Sequence, residues 1–209
     1  MFLFRPVGLH ELKLISDLKY RAFPPRLEIQ PIFYPVLNEE YAIQIAKEWN
    51  TRDKASGYVG YVTRFEVDDE YVAKFERKIV GARVHEELWV PSEELDEFNS
   101  HIIGKIEVTQ VFHSIEFIKS CSGEQDEYWG NTFSEFATLK WHHLPFVECH
   151  RHCHFCDSEI CSEHPALTGL DWTNGYASFN HGEYFYHLCP PCFAAFHEAY
   201  ELDCSLETL

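Results

Sequence analysis

The chain has 209 residues, 45% hydrophobic and 16% aromatic, enough for a packed core and for one domain with an appendage. Its formal charge of -17 and pI near 5.1 make a surface that repels phosphate backbones, and Arg151 alone is basic beyond residue 141, so the composition argues against nucleic acid as a partner. No window approaches the ~18 apolar residues of a membrane span. MFLFRPVGL, interrupted by Arg5 and Pro6, does not read as a secretory leader. The expectation is a soluble cytoplasmic protein whose eight cysteines meet a reducing environment, where metal ligation is favoured over disulfides.

In chain order, FLFR (2–5) reads as a first strand. Leu9, Leu12, Ile15 and Leu18 then mark a slowly drifting helix face, ended by Pro24-Pro25. PIFYPV (31–36) is a short strand between prolines. Asn38 is placed to cap the next helix, with Glu39 and Glu40 at its positive end. Ala42, Ile45, Ala46 and Trp49 form its buried stripe. YVGYVTRFEV (58–67) alternates as a half-buried strand, with Val59, Tyr61, Phe65 and Val67 on one face. DDEYVAKFE is a short helix or turn. ELWVP (87–91) is the next strand, with Trp89 in the core. Ser92 is placed to cap EELDEFN, and GKIEVTQVF (104–112) closes the unit. The predicted class is α+β: a small mixed sheet with short helices over residues 1–118, then an aromatic-containing connection over 119–144 that packs against one of the domains. From about 145 the composition turns to Cys, His and aromatics.

That last part carries the sharpest signal. Cys153-x2-Cys156 and Cys189-x2-Cys192 are two knuckles about thirty residues apart. Two intervening residues let both thiolates turn onto one tetrahedral ion, and two knuckles make a closed four-cysteine site, which fits structural rather than catalytic zinc. A strand, GEYFYHL, leads into the second knuckle and a helix, FAAFHEAYEL, leaves it, an order that resembles treble-clef and zinc-ribbon modules. CPPC alone also suits a redox pair, but here it has a partner knuckle. Cys149, Cys161 and His164 are candidates for a second site, against a reading as surface histidines and small buried thiols. Cys121 has no definable base beside it.

The N-terminal part, residues 2–112, resembles the ADP-ribosyltransferase superfamily. The likeness rests on Arg5 in the first strand, the strand–turn–helix IFYPVLNEEYAIQIAKEW, the strand GYVTRFEV, and a glutamate opening the strand in HEELWVP. It implies NAD as the cofactor. Arg5 would anchor it, Thr63 would support the site, Glu87 would be the catalytic acid, and His85 would stand two residues before it. Tyr34 or Tyr61, like Phe33, offers a ring to stack on nicotinamide. The departures are plain: Thr63 replaces a Ser-Thr-Ser run, and His85 replaces the usual Glu or Gln. Each residue also has an ordinary reading: Glu87 as a solvated strand-edge residue, Arg5 in an ion pair, Thr63 within a strand. Successive strand residues face opposite ways, so at most one of Glu86 and Glu87 enters a site. The sequence therefore supports two functions: ADP-ribosyl transfer or NAD hydrolysis with a zinc module presenting a protein partner or substrate, and a non-enzymatic interaction protein with a degenerate N-terminal domain.

Overall fold

The computed structural model describes residues 1–121, 127–128, 131–145, 151–160, 174–180 and 183–200, and the chain divides into two units, 1–112 and 113–209. It is mixed α and β, built from small antiparallel sheets and short helices.

In the first unit, FLFRPV forms β1 (Phe2–Val7), whose buried face is Leu3, Arg5 and Val7. An arginine on an inward face requires a buried partner, and α1 (Leu9–Asp17) supplies Glu11. A two-residue strand, β2 (Ile32–Phe33), leads to α2 (Glu39–Glu48). Asn38 caps α2 as expected, its side chain accepting from Tyr41 N–H at 2.8 Å. β3 (Val59–Val67) is antiparallel to β1, with Arg5 opposite Thr63, and β3 lies between β1 and the long β7 (Ile102–His113). Between them run α3 (Asp69–Val72), β4 (Arg77–Ile79), β5 (Glu86–Leu88), β6 (Val90–Pro91) and α4 (Leu95–Ser100).

Several local expectations are corrected. β3 is not half-buried: Val59 to Thr63 are all buried, because α2 crosses directly over Gly60. A Cβ there would stand 2.0 Å from the Ala46 carbonyl oxygen, so glycine permits the contact. Trp49, placed in the buried stripe, is 57% exposed, and Trp89 is 41% exposed. Tyr41, Ala42 and Ala46 form the buried face of α2 instead. Ser92 does not cap α4: a 3-10 turn at Ser92–Glu94 precedes the helix, and the Ser92 hydroxyl bonds the Glu93 carboxylate. The core is an aromatic cluster in which Phe23 packs on Phe33 and Phe65, with Phe98 edge-on to Phe33.

The division falls after Phe112, not near 118. Residues 119–144 belong to the second unit, since Phe133, Phe136 and Trp141 are built into its core. This unit runs α5 (Ile115–Cys121), β8 (Glu127–Tyr128), β9 (Asn131–Thr132), α6 (Phe133–Ala137), β10 (Trp141–Pro145), β11 (Arg151–His152), β12 (Glu159–Ile160), β13 (Asn174–Asn180), β14 (Glu183–Leu188) and α7 (Pro190–Tyr200). β10, β13 and β14 form an antiparallel sheet. β11 and β12 form a hairpin whose turn is the first cysteine knuckle, and the second knuckle joins β14 to α7.

Candidate functional site

Two places bring chemistry-bearing residues together, one in each unit. In the first unit the chain segment at Val36 is the connector. Val36 bridges Phe4 on one side and Glu87 on the other, and Leu37 N–H and the Pro35 carbonyl bond Glu86 and Leu88 of β5. That ladder sets Arg5 of β1 and Glu87 of β5 on the wall of one open cleft of about 270 Å³, together with Gln30, Tyr34, Tyr41, Ile45 and Trp49. Both oxygens of Glu87 are held: Oε1 accepts from the Tyr41 hydroxyl and Oε2 from Trp89 Nε1–H, each at 3.1 Å. Burial and the neighbouring Glu87 carboxylate push the Tyr41 phenol up to about 12. Behind Tyr41, His85 stacks on its ring at 4.2 Å. His85 Nδ1 accepts from Ala82 N–H, which leaves Nε2 to donate to Gln44 Oε1 at 3.0 Å.

Arg5 is tightly engaged. Its Nε and Nη2 grip both carboxylate oxygens of Glu11 at 2.8 and 3.2 Å, and Nη1 donates to the Tyr34 carbonyl at 3.2 Å. Its guanidinium lies 4.8 Å over the Phe33 ring. Arg26 Nη1 approaches the same Glu11 at 3.5 Å, and burial followed by repulsion from Arg5 lowers the Arg26 pKa. Two guanidinium groups therefore share one carboxylate beside the cleft, and Glu87 brings a negative charge to it.

The predicted residues divide accordingly. Arg5, Tyr34 and Glu87 meet in the cleft. Thr63 is fully buried, its hydroxyl donating to the Arg5 carbonyl at 2.8 Å, so it braces the backbone under Arg5 and does not line the cleft. Tyr61 is 4% exposed and belongs to the core, on the face of β3 opposite Gly60 and Val62, and it does not line the cleft. His85 backs Tyr41 and does not line the cleft. Residue spacing gave no hint of Glu11, Tyr41 or Trp89 as the groups holding Arg5 and Glu87. Those partnerships depend on where α1, α2 and β5 come to lie.

In the second unit, ligand atoms of His113, Cys156, Cys189 and Cys192 all lie within 4.8 Å of one another, so the group could hold a metal ion. Cys153, 1% exposed, is in side-chain contact with the other three cysteines. Cys156 and Cys189 sulfurs are 3.7 Å apart, beyond the ~2.05 Å of a disulfide and close to the ~3.8 Å edge of a tetrahedron built on ~2.3 Å zinc–sulfur bonds. All five described cysteines are free.

Local backbone builds each knuckle. Cys153 N–H bonds the Ser158 carbonyl and Asp157 N–H the Cys153 carbonyl, with Asp157 in the left-handed region at φ 58°, one of the few residue types that tolerates it. Cys192 stands in the first turn of α7, where the helix dipole favours a thiolate. Thiols this crowded cannot all ionise against one another. Hydrogen bonds from Cys153, Cys189 and Cys192 hold Cys156 far below the usual thiol range, while burial pushes Cys189 and Cys192 well above it. A divalent cation at the centre would resolve that conflict, because it stabilises every thiolate together. His113, some forty residues upstream of the first knuckle, had no spacing signal to betray it. Cys149, Cys161 and His164, the candidates for a second site, lie outside the described residues.

Comparison of the chain with models of known families, with curated proteins and with solved structures finds no match. Among the described residues no helix is long and apolar enough to cross a membrane.

Proposed function

We propose that the first unit binds NAD in the Arg5–Glu87 cleft and cleaves its nicotinamide–ribose bond, passing ADP-ribose to a protein acceptor or to water, and that the second unit is a zinc-stabilised treble-clef or ribbon-like module that presents the partner or substrate. The single observation that carries the reading is the convergence of Arg5 and Glu87, 82 positions apart in sequence, on one cleft. Its small volume suits half of a dinucleotide, with the other half lying across the open rim.

In this reading NAD supplies a glycosidic bond whose breaking leaves positive charge on the ribose. Glu87, fixed by Tyr41 and Trp89, opposes that charge and accepts from a ribose hydroxyl. A carboxylate already oriented by two donors costs no reorganisation when charge develops, so it favours the transition state over the ground state. Arg5 offers positive charge to the anionic groups of the ligand, and Tyr34, Tyr41 and Trp49 offer ring faces. Four thiolates around one centre suit zinc, which takes sulfur ligands in tetrahedral geometry. An intracellular, reducing compartment keeps such thiols available, and the charge of -17 suits a basic protein partner.

A second reading, a non-enzymatic interaction protein, is favoured by the bidentate engagement of Arg5 with Glu11, which commits the guanidinium fork that would otherwise face a ligand. Nicotinamide release from NAD by the wild type and by Glu87→Gln separates the two. Release that vanishes in Glu87→Gln supports the enzyme. No release and no NAD binding by the wild type leaves the interaction protein.

A further inference from the structure

The cysteine cluster holds one donor more than a closed tetrahedral site needs. His113 Nδ1 lies 3.1 Å from Cys192 Sγ, within the same knot of ligand atoms as Cys156 and Cys189. Two ligands of one tetrahedral zinc, with ~2.0–2.1 Å to nitrogen and ~2.3 Å to sulfur, stand about 3.6 Å apart. The observed separation is half an ångström shorter and lies within hydrogen-bonding reach of the sulfur.

The charges demand such a donor. Four thiolates around a divalent ion carry a net charge of about -2, and Cys189 and Cys192 are fully buried among Phe155, Phe193 and Phe196. Hydrogen bonds to the sulfurs spread that charge. The Cys156 thiol donates to the Ser158 hydroxyl oxygen at 3.1 Å, and that hydroxyl can turn to donate once Cys156 is a thiolate. Among the described residues His113 is placed to serve Cys192. A neutral imidazole carries a single N–H, and placing it on Nδ1 aims it at the sulfur.

We propose that His113 is a positioning residue of the metal centre: the ion is bound by Cys153, Cys156, Cys189 and Cys192, and His113 Nδ1–H donates to the Cys192 thiolate without ligating the metal. This rests on the metal reading of the second unit and is independent of the NAD reading of the first. The test uses the full chain loaded with Co(II), whose thiolate charge-transfer and ligand-field bands report the ligand set. Wild type should bind one Co(II) with a four-thiolate spectrum. His113→Leu should keep that spectrum while Co(II) affinity drops roughly 10–100-fold, the usual cost of losing a group that orients a ligand. His113→Asn, whose amide N–H stands near the place of Nδ1–H, should return affinity to within a few-fold of wild type.

Equal affinity in wild type and His113→Leu overturns the proposal. So does a wild-type spectrum with nitrogen in the ligand set that His113→Leu abolishes, since His113 would then be a ligand. Should His113→Leu fold poorly, His113→Ala takes its place with the same two outcomes. Failure of the wild type to take up Co(II) at all would instead sink the metal reading itself.

Discussion

The two units solve the problem of buried polar groups in opposite ways. In the first, inward-facing polar side chains are tied to protein partners: Arg5 meets Glu11, Thr63 meets the Arg5 carbonyl, and Asn99 makes paired bonds with the Phe23 backbone. Its core is then closed by carbon, with Phe23, Phe33, Phe65 and Phe98 in mutual ring contact. In the second unit ionisable groups sit inside an apolar core. Cys153, Cys189 and Cys192 are as buried as Phe133, Phe155 and Phe196 around them. Thiols at such density favour a cation at their centre, and a metal ion there would complete the core. The lesson is that a fold of similar size can be closed by apolar area or by coordination, and the two fail under different perturbations.

That contrast can be broken at its strongest point first. Cys192→Ser removes a thiolate from the fully buried side of the cluster, and metal affinity should fall by more than the ~100-fold that loss of a supporting hydrogen bond costs. Zinc content after dialysis checks it, and undiminished zinc would remove Cys192 from the ligand set. Phe98→Ala probes the other unit. It opens a cavity beneath Phe33 and Phe65, should cost about 3–5 kcal/mol in denaturant unfolding, and should leave metal content unchanged. A matched loss of metal would show that the two cores are not separable.

The smallest expected effect concerns the cleft. Tyr41 is folded with its phenol raised to about 12 against an ordinary 10. The folded state therefore holds the proton more tightly, and this contribution is complete below pH 10 and is lost as pH rises from 10 through about 12. Tyr41→Phe should remove that alkaline slope and cost about 1 kcal/mol at neutral pH. Denaturant midpoints at pH 9 and pH 11.5 beside phenolate absorbance measure both, and an identical slope in the variant would refute the assignment.

Much of the frame was legible because local rules govern it. Asn38 announced its helix through its capping chemistry, and the two CxxC pairs announced a common centre through their spacing. What was not legible depends on close approach between distant segments. Gly60 gave no sign that Ala46 would sit against it, and so β3 read as half-exposed. Trp49 and Trp89 read as core from hydrophobicity alone, yet both are partly exposed, with Trp49 on the cleft wall and Trp89 holding Glu87 there. His113 ends a strand with nothing in its neighbourhood to mark it, and only the tertiary structure sets it beside Cys192.

Carbon closes the first core, and coordination is proposed to close the second. Amide hydrogen exchange on the full chain, with and without a zinc chelator under reducing conditions, tests it most directly. Residues 153–160 and 186–200 should lose protection on chelation while 59–67 and 102–112 keep theirs. Protection unchanged in the cysteine knuckles and α7 after the metal is removed would contradict it.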